Sequence, residues 1–289
     1  MWAVHAFEED AAPAERLARA LGLPLRRIAL HRFPDGEGMP VVGGAEGTAL
    51  LYRALDRPDG KLMPLLLATD AMRRAGAKRV VLVAPYMPYL RQDRVFAPGQ
   101  PLSRDVLGRV IGEAFDRVVT VEPHLHRTAD LTPVFGTPVT SLSAARELAR
   151  AIGAAGDPLL IGPDAESEQW VEKVADELGA DFIVFAKERL GDRRVRLTLP
   201  AGAKVAGRRV VLVDDICSSG GTLEAAAAAV TGAASVEIAI VHALFDEAAR
   251  ARLAAAGVSS IVSTDSCAHP TNAIHLAPLL ASALREETA

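Results

Sequence analysis

Residues 210–222 read VVLVDDICSSGGT. Four apolar residues run directly into two acids, Asp214 and Asp215. A stretch with almost no side chains follows, Ser218, Ser219, Gly220 and Gly221, closed by Thr222. A short apolar run is the pattern of a strand buried on both faces, the kind found in parallel sheets. Ligands of such sheets bind beyond the carboxyl ends of the strands, where a loop leads into the next helix. Small residues at 218–221 let the backbone approach a ligand, and a helix expected from Thr222 presents free N–H groups at its start. That combination cradles a phosphate. Two carboxylates beside a phosphate would repel it, so Asp214 and Asp215 are expected to face ribose hydroxyls or a bridging Mg2+. The stretch therefore predicts a sugar-phosphate loop; an ordinary strand–turn–helix with solvated acids is the alternative.

Working outward, similar Val-, Ile- and Leu-rich runs occur at 79–84, 118–121, 158–161, 182–185, 235–241 and 260–262. Between them lie segments with helical spacing at 61–75, 103–115, 143–152, 165–178, 222–232 and 246–256. This alternation predicts an α/β protein with mainly parallel sheets flanked by helices. The pentapeptide RVVLV occurs at 79–83 and again at 209–213, which suggests two similar halves. The Pro- and hydroxyl-containing stretch 137–143 marks the expected boundary, giving domains 1–142 and 143–289.

Composition bounds the function. The chain has 289 residues, half of them hydrophobic, and a net charge of −4, which argues against a nucleic-acid or anionic-membrane binder. No apolar run approaches the length of a membrane span. The N-terminus turns acidic at Glu8 and lacks a basic leader pattern, so the chain is expected to be cytoplasmic. Cys217 and Cys267 are the two cysteines and form no CxxC, so neither a disulfide framework nor a zinc cluster is indicated. The Gly60–Lys61 pair has no glycine five residues earlier, which excludes a Walker A loop.

The stretch 210–222 resembles the phosphoribosyl-diphosphate loop of the phosphoribosyltransferases and of the related ribose-phosphate diphosphokinases. Motifs in the first half point to the diphosphokinases. FPDGE (33–37) resembles their F-x-D-G-E adenine loop, and YLRQDR (89–94) their Y-x-R-Q-D-R signature. VEPH (121–124) is similar to V-D-x-H with Glu122 in place of Asp, and GPD (162–164) to their second P-D strand end. AKER (186–189) is similar to the Lys-x-Arg that opens their catalytic loop. Two departures stand out: Glu166–Ser167 replaces a glycine-containing turn, and Ser218 stands where many members carry a third acid. The Ser-Ser-Gly-Gly-Thr form is nearer the archaeal-type members.

The resemblance implies two phosphoribosyltransferase-type domains, ATP-side loops in the first and the ribose 5-phosphate and Lys/Arg loops in the second. It implies transfer of the β,γ-diphosphoryl group of MgATP to the 1-hydroxyl of ribose 5-phosphate, with AMP as co-product. A phosphoribosyltransferase and a non-catalytic regulatory homologue are the alternatives. ATP would be held by Phe33, Asp35, Gly36, Glu37, Arg91, Gln92, Asp93 and Arg94, and ribose 5-phosphate by Asp214, Asp215 and 218–222. Lys187 and Arg189 would be catalytic, and His124 and Asp164 would hold Mg2+. It also implies a homo-oligomer, because the loop matching FPDGE completes a neighbour's adenine site.

Simpler roles remain open for these residues. Asp35–Gly36 suits a plain hairpin turn, and Asp164 suits a helix N-cap. His124-x-His126 lacks a third soft ligand at convincing spacing. Arginines suit bidentate phosphate contact, but Arg91 and Arg94, or the basic run from Lys187 through Arg193 and Arg194, would also suit a solvated surface.

Overall fold

The computed structural model describes residues 2–125, 128, 130–189 and 195–288; the side chains of 187–189, 195–196 and 286–288 are outside that description. The chain forms two compact units, Met1–Ser143 with Leu276–Ala289, and Ala144–His275. The segment after His275, expected with the second half, thus belongs to the first.

Unit 1 contains β1 (Ala3–Phe7), α1 (Ala11–Leu21), β2 (Leu25–Arg32), β3 (Gly38–Val41), β4 (Gly47–Tyr52), α2 (Asp59–Arg74) and β5 (Ala77–Val83). It continues with α3 (Ser103–Ala114), β6 (Arg117–Val121), α4 (Thr132–Phe135) and β7 (Val139–Leu142). The strands order as β3-β2-β1-β4-β5-β6-β7, all parallel except the antiparallel β2–β3 pair. One face buries Leu51, Leu82 and Val118 against Leu65 and Met72 of α2 and Ile111 of α3. Near the other, α1 packs against the final helix α9 (Ala277–Thr288), whose Leu280, Ala281 and Leu284 are buried. Arg117 of β6 ties α9 down by donating to the Ala283 carbonyl at 3.4 Å. Between α3 and α4 the approach is close: a Cβ on Gly112 would lie 1.6 Å from the Phe135 carbonyl oxygen.

Unit 2 contains α5 (Ala145–Ile152), β8 (Leu159–Gly162), α6 (Glu168–Leu178), β9 (Phe182–Val184), β10 (Ala186–Arg189), β11 (Val195–Thr198) and β12 (Arg209–Cys217). After these come α7 (Gly221–Ala229), β13 (Ser235–Ala243), α8 (Glu247–Ala255), β14 (Val258–Thr264) and β15 (Asn272–Ile274). Its main sheet is parallel throughout, ordered β15-β14-β13-β12-β8-β9. Val210, Leu212, Ile238 and Ile240 form its core with Leu223 of α7 and Leu253 of α8.

Counted along the chain, the six mutually parallel strands of each unit follow one spatial order, second-first-third-fourth-fifth-sixth. The two halves therefore share a topology, but RVVLV does not mark it. Residues 79–83 lie on β5, the fourth strand of that set in unit 1, whereas 209–213 lie on β12, the third in unit 2. Both strands are buried, and burial alone selects the same small apolar alphabet.

Two expected elements differ in detail. The helix expected over 165–178 starts as a tight turn at Ala165–Ser167 before α6. The strand expected over 182–185 ends at Val184, and Lys187 and Arg189 lie on β10, paired antiparallel with β11.

Candidate functional site

In unit 2 the strand order reverses between β8 and β12, the first and third strands of the set. Loops leaving the carboxyl ends of such a pair diverge and leave a crevice. Asp164 follows β8, and Asp214 and Asp215 lie near the end of β12. A shallow hollow there is lined by Asp214 and by residues 216–223. Gly220 adopts φ +78°, a left-handed conformation that favours glycine, and caps the start of α7. Ser218, Ser219, Gly221 and Thr222 are exposed around it.

The carboxylates are electrostatically coupled. Asp215 is buried, and its N–H donates to the Asp214 carboxylate at 3.0 Å. Burial holds the Asp214 carboxyl well above the usual carboxylate range, and the charges of Asp215 and then Asp164 push it further. Three hard oxygen donors of like sign make a setting that a divalent cation would relieve. Among the described residues no three His, Cys, Asp or Glu side chains converge into a cage. That donor set fits Mg2+, which keeps several waters and takes one or two protein carboxylates alongside substrate phosphates. The Asp164 carboxylate also caps the turn at 165–167, accepting from the Glu166 N–H at 3.1 Å, while the Ser167 hydroxyl donates to the Asp164 carbonyl at 2.6 Å. In place of a glycine turn, Asp164 and Ser167 build a capping box, in which the Asp164 N–H donates to the Ser167 hydroxyl at 3.4 Å.

The matching position in unit 1, at the ends of β1 and β4, is filled by side chains. Arg53, 1% exposed, donates to the Asp10 carboxylate at 2.8 Å, pairs with Glu9, and lies 4.3 Å from the Phe7 ring centroid. Asp10 also accepts from the Ala54 N–H at 3.3 Å. Among the described residues, a buried ion pair thus occupies the switch point of unit 1, whereas a hollow lies beside that of unit 2.

Unit 1 carries the candidates for the ATP side and His124. Phe33, Asp35, Gly36 and Glu37 form the exposed tip of the β2–β3 hairpin, closed by Phe33 N–H to the Glu37 carbonyl and by Glu37 N–H to Asp35. The Phe33 ring meets His31 edge-on, centroids 4.6 Å apart. Arg91–Arg94 lie between β5 and α3, with Arg91 and Arg94 exposed. Gln92 faces α3, accepting from the Ser103 hydroxyl at 2.8 Å, and the Arg94 guanidinium lies 4.8 Å from the Phe96 ring. His124 is half-buried just after β6, following Glu122, which is buried and takes φ +36°.

Residues 190–194, including Arg193 and Arg194, and His126 lie outside the described residues. So do the side chains of Lys187 and Arg189. Asp164, Asp214, Asp215 and residues 218–222 are the candidates brought together in unit 2; His124 belongs to unit 1.

Two contacts have no signature in the sequence. Tyr89 donates its hydroxyl to Asp59 at the first residue of α2, beneath the 91–94 segment. From α8, Arg252 donates to the Ser219 carbonyl at 2.8 Å and to the Glu224 carboxylate at 3.0 Å. Neither a tyrosine clasp nor an arginine directed at a backbone carbonyl follows from spacing or composition.

Residues 3–114 match the model of the N-terminal domain of ribose phosphate pyrophosphokinase, and residues 140–276 match that of the phosphoribosyl transferase domain. A ribose-phosphate pyrophosphokinase of Methanopyrus kandleri is 35% identical, over 97% of this chain and 98% of its own. One from Halobacterium salinarum is 35% identical over 94% and 96%, and one from Granulibacter bethesdensis 34% over 94% and 92%. The crystal structure of phosphoribosylpyrophosphate synthetase from Mycobacterium smegmatis superposes with a TM-score of 0.84 at 26% identity, covering 99% of this chain and 98% of that one. Near-complete coverage by relatives at this identity, through both units, places the chain in the ribose-phosphate pyrophosphokinase family.

Proposed function

We propose that this protein is a ribose-phosphate diphosphokinase that makes 5-phosphoribosyl 1-diphosphate and AMP from ATP and ribose 5-phosphate. The observation that carries the reading is the open crevice of unit 2, where paired carboxylates meet a glycine-capped loop, in a chain of this family. A phosphoribosyltransferase is not favoured, since residues 3–114 match a domain specific to the pyrophosphokinases. A non-catalytic homologue is not favoured either, given full-length relatives named for the activity.

Each residue then has a chemical task. Amides and hydroxyls of Ser218, Ser219, Gly220, Gly221 and Thr222 hold the 5-phosphate, and Asp214 and Asp215 orient the ribose hydroxyls. The 1-hydroxyl oxygen attacks the β-phosphorus of ATP and gives up its proton to solvent. The bond from that phosphorus to the α–β bridging oxygen breaks, and AMP departs with the bond pair. Lys187 and Arg189 stabilise the charge on the transferring group. Phe33, Asp35, Gly36 and Glu37 receive the adenine side of ATP, and Arg91, Gln92, Asp93 and Arg94 its polyphosphate. His124 and Asp164 would hold Mg2+, which when bound neutralises polyphosphate charge. No protein nucleophile is required.

The proposal extends to assembly and location: a homo-oligomer in which the FPDGE hairpin completes a neighbour's adenine site, in the cytoplasm. No described helix is long and apolar enough to cross a membrane. Incubation with Mg2+, ATP and ribose 5-phosphate should give AMP and phosphoribosyl diphosphate in equal amounts, and no AMP without the sugar phosphate. Release of ADP instead would mean single-phosphoryl transfer and overturn the mechanism. A fully active monomer by light scattering would overturn the shared site.

A further inference from the structure

The side of the sugar-phosphate loop away from its ligand is braced by α8. A Cβ added to Gly220 would lie 3.4 Å from the Ala249 Cβ and 3.7 Å from a Leu253 methyl, so the loop rests directly on this helix. From the same helix, Arg252 donates through Nη2 to the Ser219 carbonyl at 2.8 Å and through Nε to Glu224 at 3.0 Å. Glu224 in turn donates its N–H to the Gly220 carbonyl at 2.8 Å. No residue of α8 lines the hollow that holds Asp214 and Ser218–Thr222.

We infer that Arg252 is a positioning residue for the sugar phosphate, locking the Ser219–Gly220 peptide so that the Gly220 N–H faces the phosphate. A trans peptide is planar, and its C=O and N–H point in opposite directions. Fixing the Ser219 oxygen toward α8 therefore turns the Gly220 N–H away from α8, to the side of the hollow. Without the clamp this peptide is free to flip, because glycine populates positive and negative φ about equally. A hydrogen bond from a charged donor is roughly twice as strong as a neutral one, so the guanidinium decides the orientation. Its ion pair with Glu224 is about half exposed and adds little to stability. The role of Arg252 lies in binding rather than folding.

The inference rests on the assignment of this loop to ribose 5-phosphate, and the test separates the two. Calorimetry with ribose 5-phosphate alone gives the affinity of wild type, Arg252→Ala and Arg252→Lys; steady-state kinetics give KM for both substrates, and melting gives Tm. Arg252→Ala should bind ribose 5-phosphate about tenfold more weakly, the effect of one lost amide contact. KM for ATP should stay within twofold and Tm within about 2 °C of wild type. Arg252→Lys, which keeps one donor, should fall between, and added guanidinium should restore part of the affinity of Arg252→Ala. Wild-type affinity in Arg252→Ala, or equal losses for ATP and ribose 5-phosphate, would overturn the clamp while leaving the function intact. If wild type itself fails to bind ribose 5-phosphate, the loop assignment falls and the clamp with it.

Discussion

The phenol of Tyr89 donates to the carboxylate of Asp59, thirty residues earlier in the chain, and so pins the segment leading to Arg91–Arg94 onto the first residue of α2. Tyr89 takes φ +61°, a left-handed conformation costly for an aromatic residue. The hydrogen bond to Asp59 is the main reason its phenol titrates above the usual range. Loss of the hydroxyl in Tyr89→Phe should let the segment relax and raise KM for ATP by about three- to tenfold, with ribose 5-phosphate binding unchanged. Asp59→Asn keeps an acceptor and should be milder than Asp59→Ala. An unchanged KM for ATP in both Tyr89→Phe and Asp59→Ala would show that the clasp does not position the segment.

The paired acids give a second expectation. Asp214→Asn removes an anchor that sets the attack geometry of the ribose, so KM for ribose 5-phosphate should rise and kcat fall, while ATP affinity changes little. If this variant instead loses ATP and keeps ribose 5-phosphate, the two substrates have been assigned to the wrong units.

Lys187 and Arg189 sit two residues apart on β10, opposite Leu197 and Val195 of β11. Removing one preorganised charge partner typically costs on the order of 10²–10³ in kcat. Lys187→Ala should lose turnover on that scale, with both substrates bound within a fewfold of wild type. Near-normal kcat, or a loss confined to KM for ATP, would exclude transition-state stabilisation by this residue.

Gly112 tests packing apart from function. In an exposed helix, Gly→Ala stabilises by about 1 kcal/mol. Here the new Cβ would meet the Phe135 carbonyl oxygen at 1.6 Å, and α4 would have to move away from α3. Overpacking costs about 1–3 kcal/mol or more, so a Tm lower by at least about 2 °C is expected for Gly112→Ala. Gly60→Ala in α2, where a Cβ meets nothing within 4 Å, is the control and should be neutral or slightly stabilising.

His5 on β1 sets an acid limit to stability. It is 1% exposed, and burial, followed by the nearby Arg26 charge, lowers its pKa from 6.5 to about 4. Between those values the unfolded chain takes up a proton that the folded chain refuses. Stability should thus fall as pH drops from about 6.5 to about 4, by roughly 3 kcal/mol from this group, and level off below. Urea midpoints measured across this range should decline less in His5→Leu; parallel decline in both proteins would remove His5 as the cause.

What the sequence revealed follows from burial. Strands covered on both faces must be apolar throughout, so β5, β12 and β13 announced themselves as Val- and Ile-rich runs. The β10–β11 pair did not, because AKER and VRLT carry charge and form only a two-stranded ladder. The strand end, loop and helix start from Asp214 to Thr222 were legible because an apolar run followed by small residues predicts a strand turning tightly into a helix. Arg252 was not, since its target is a backbone carbonyl and an arginine on a half-exposed helix reads as solvated. The helix α9, with its buried Leu280 and Leu284, was not among the expected segments, and its return to unit 1 depends on packing that no local spacing encodes.

The return of α9 to unit 1 inverts the order in which the halves are finished at the ribosome. Unit 2 has every strand it needs once His275 has emerged. Unit 1, begun first, still lacks the helix that packs on α1 while the whole second half is made. The later half is thus complete before the earlier one, against the usual N-terminal-first sequence. A nascent chain stalled with His275 just outside the exit tunnel should resist protease in its second half and be cut in its first.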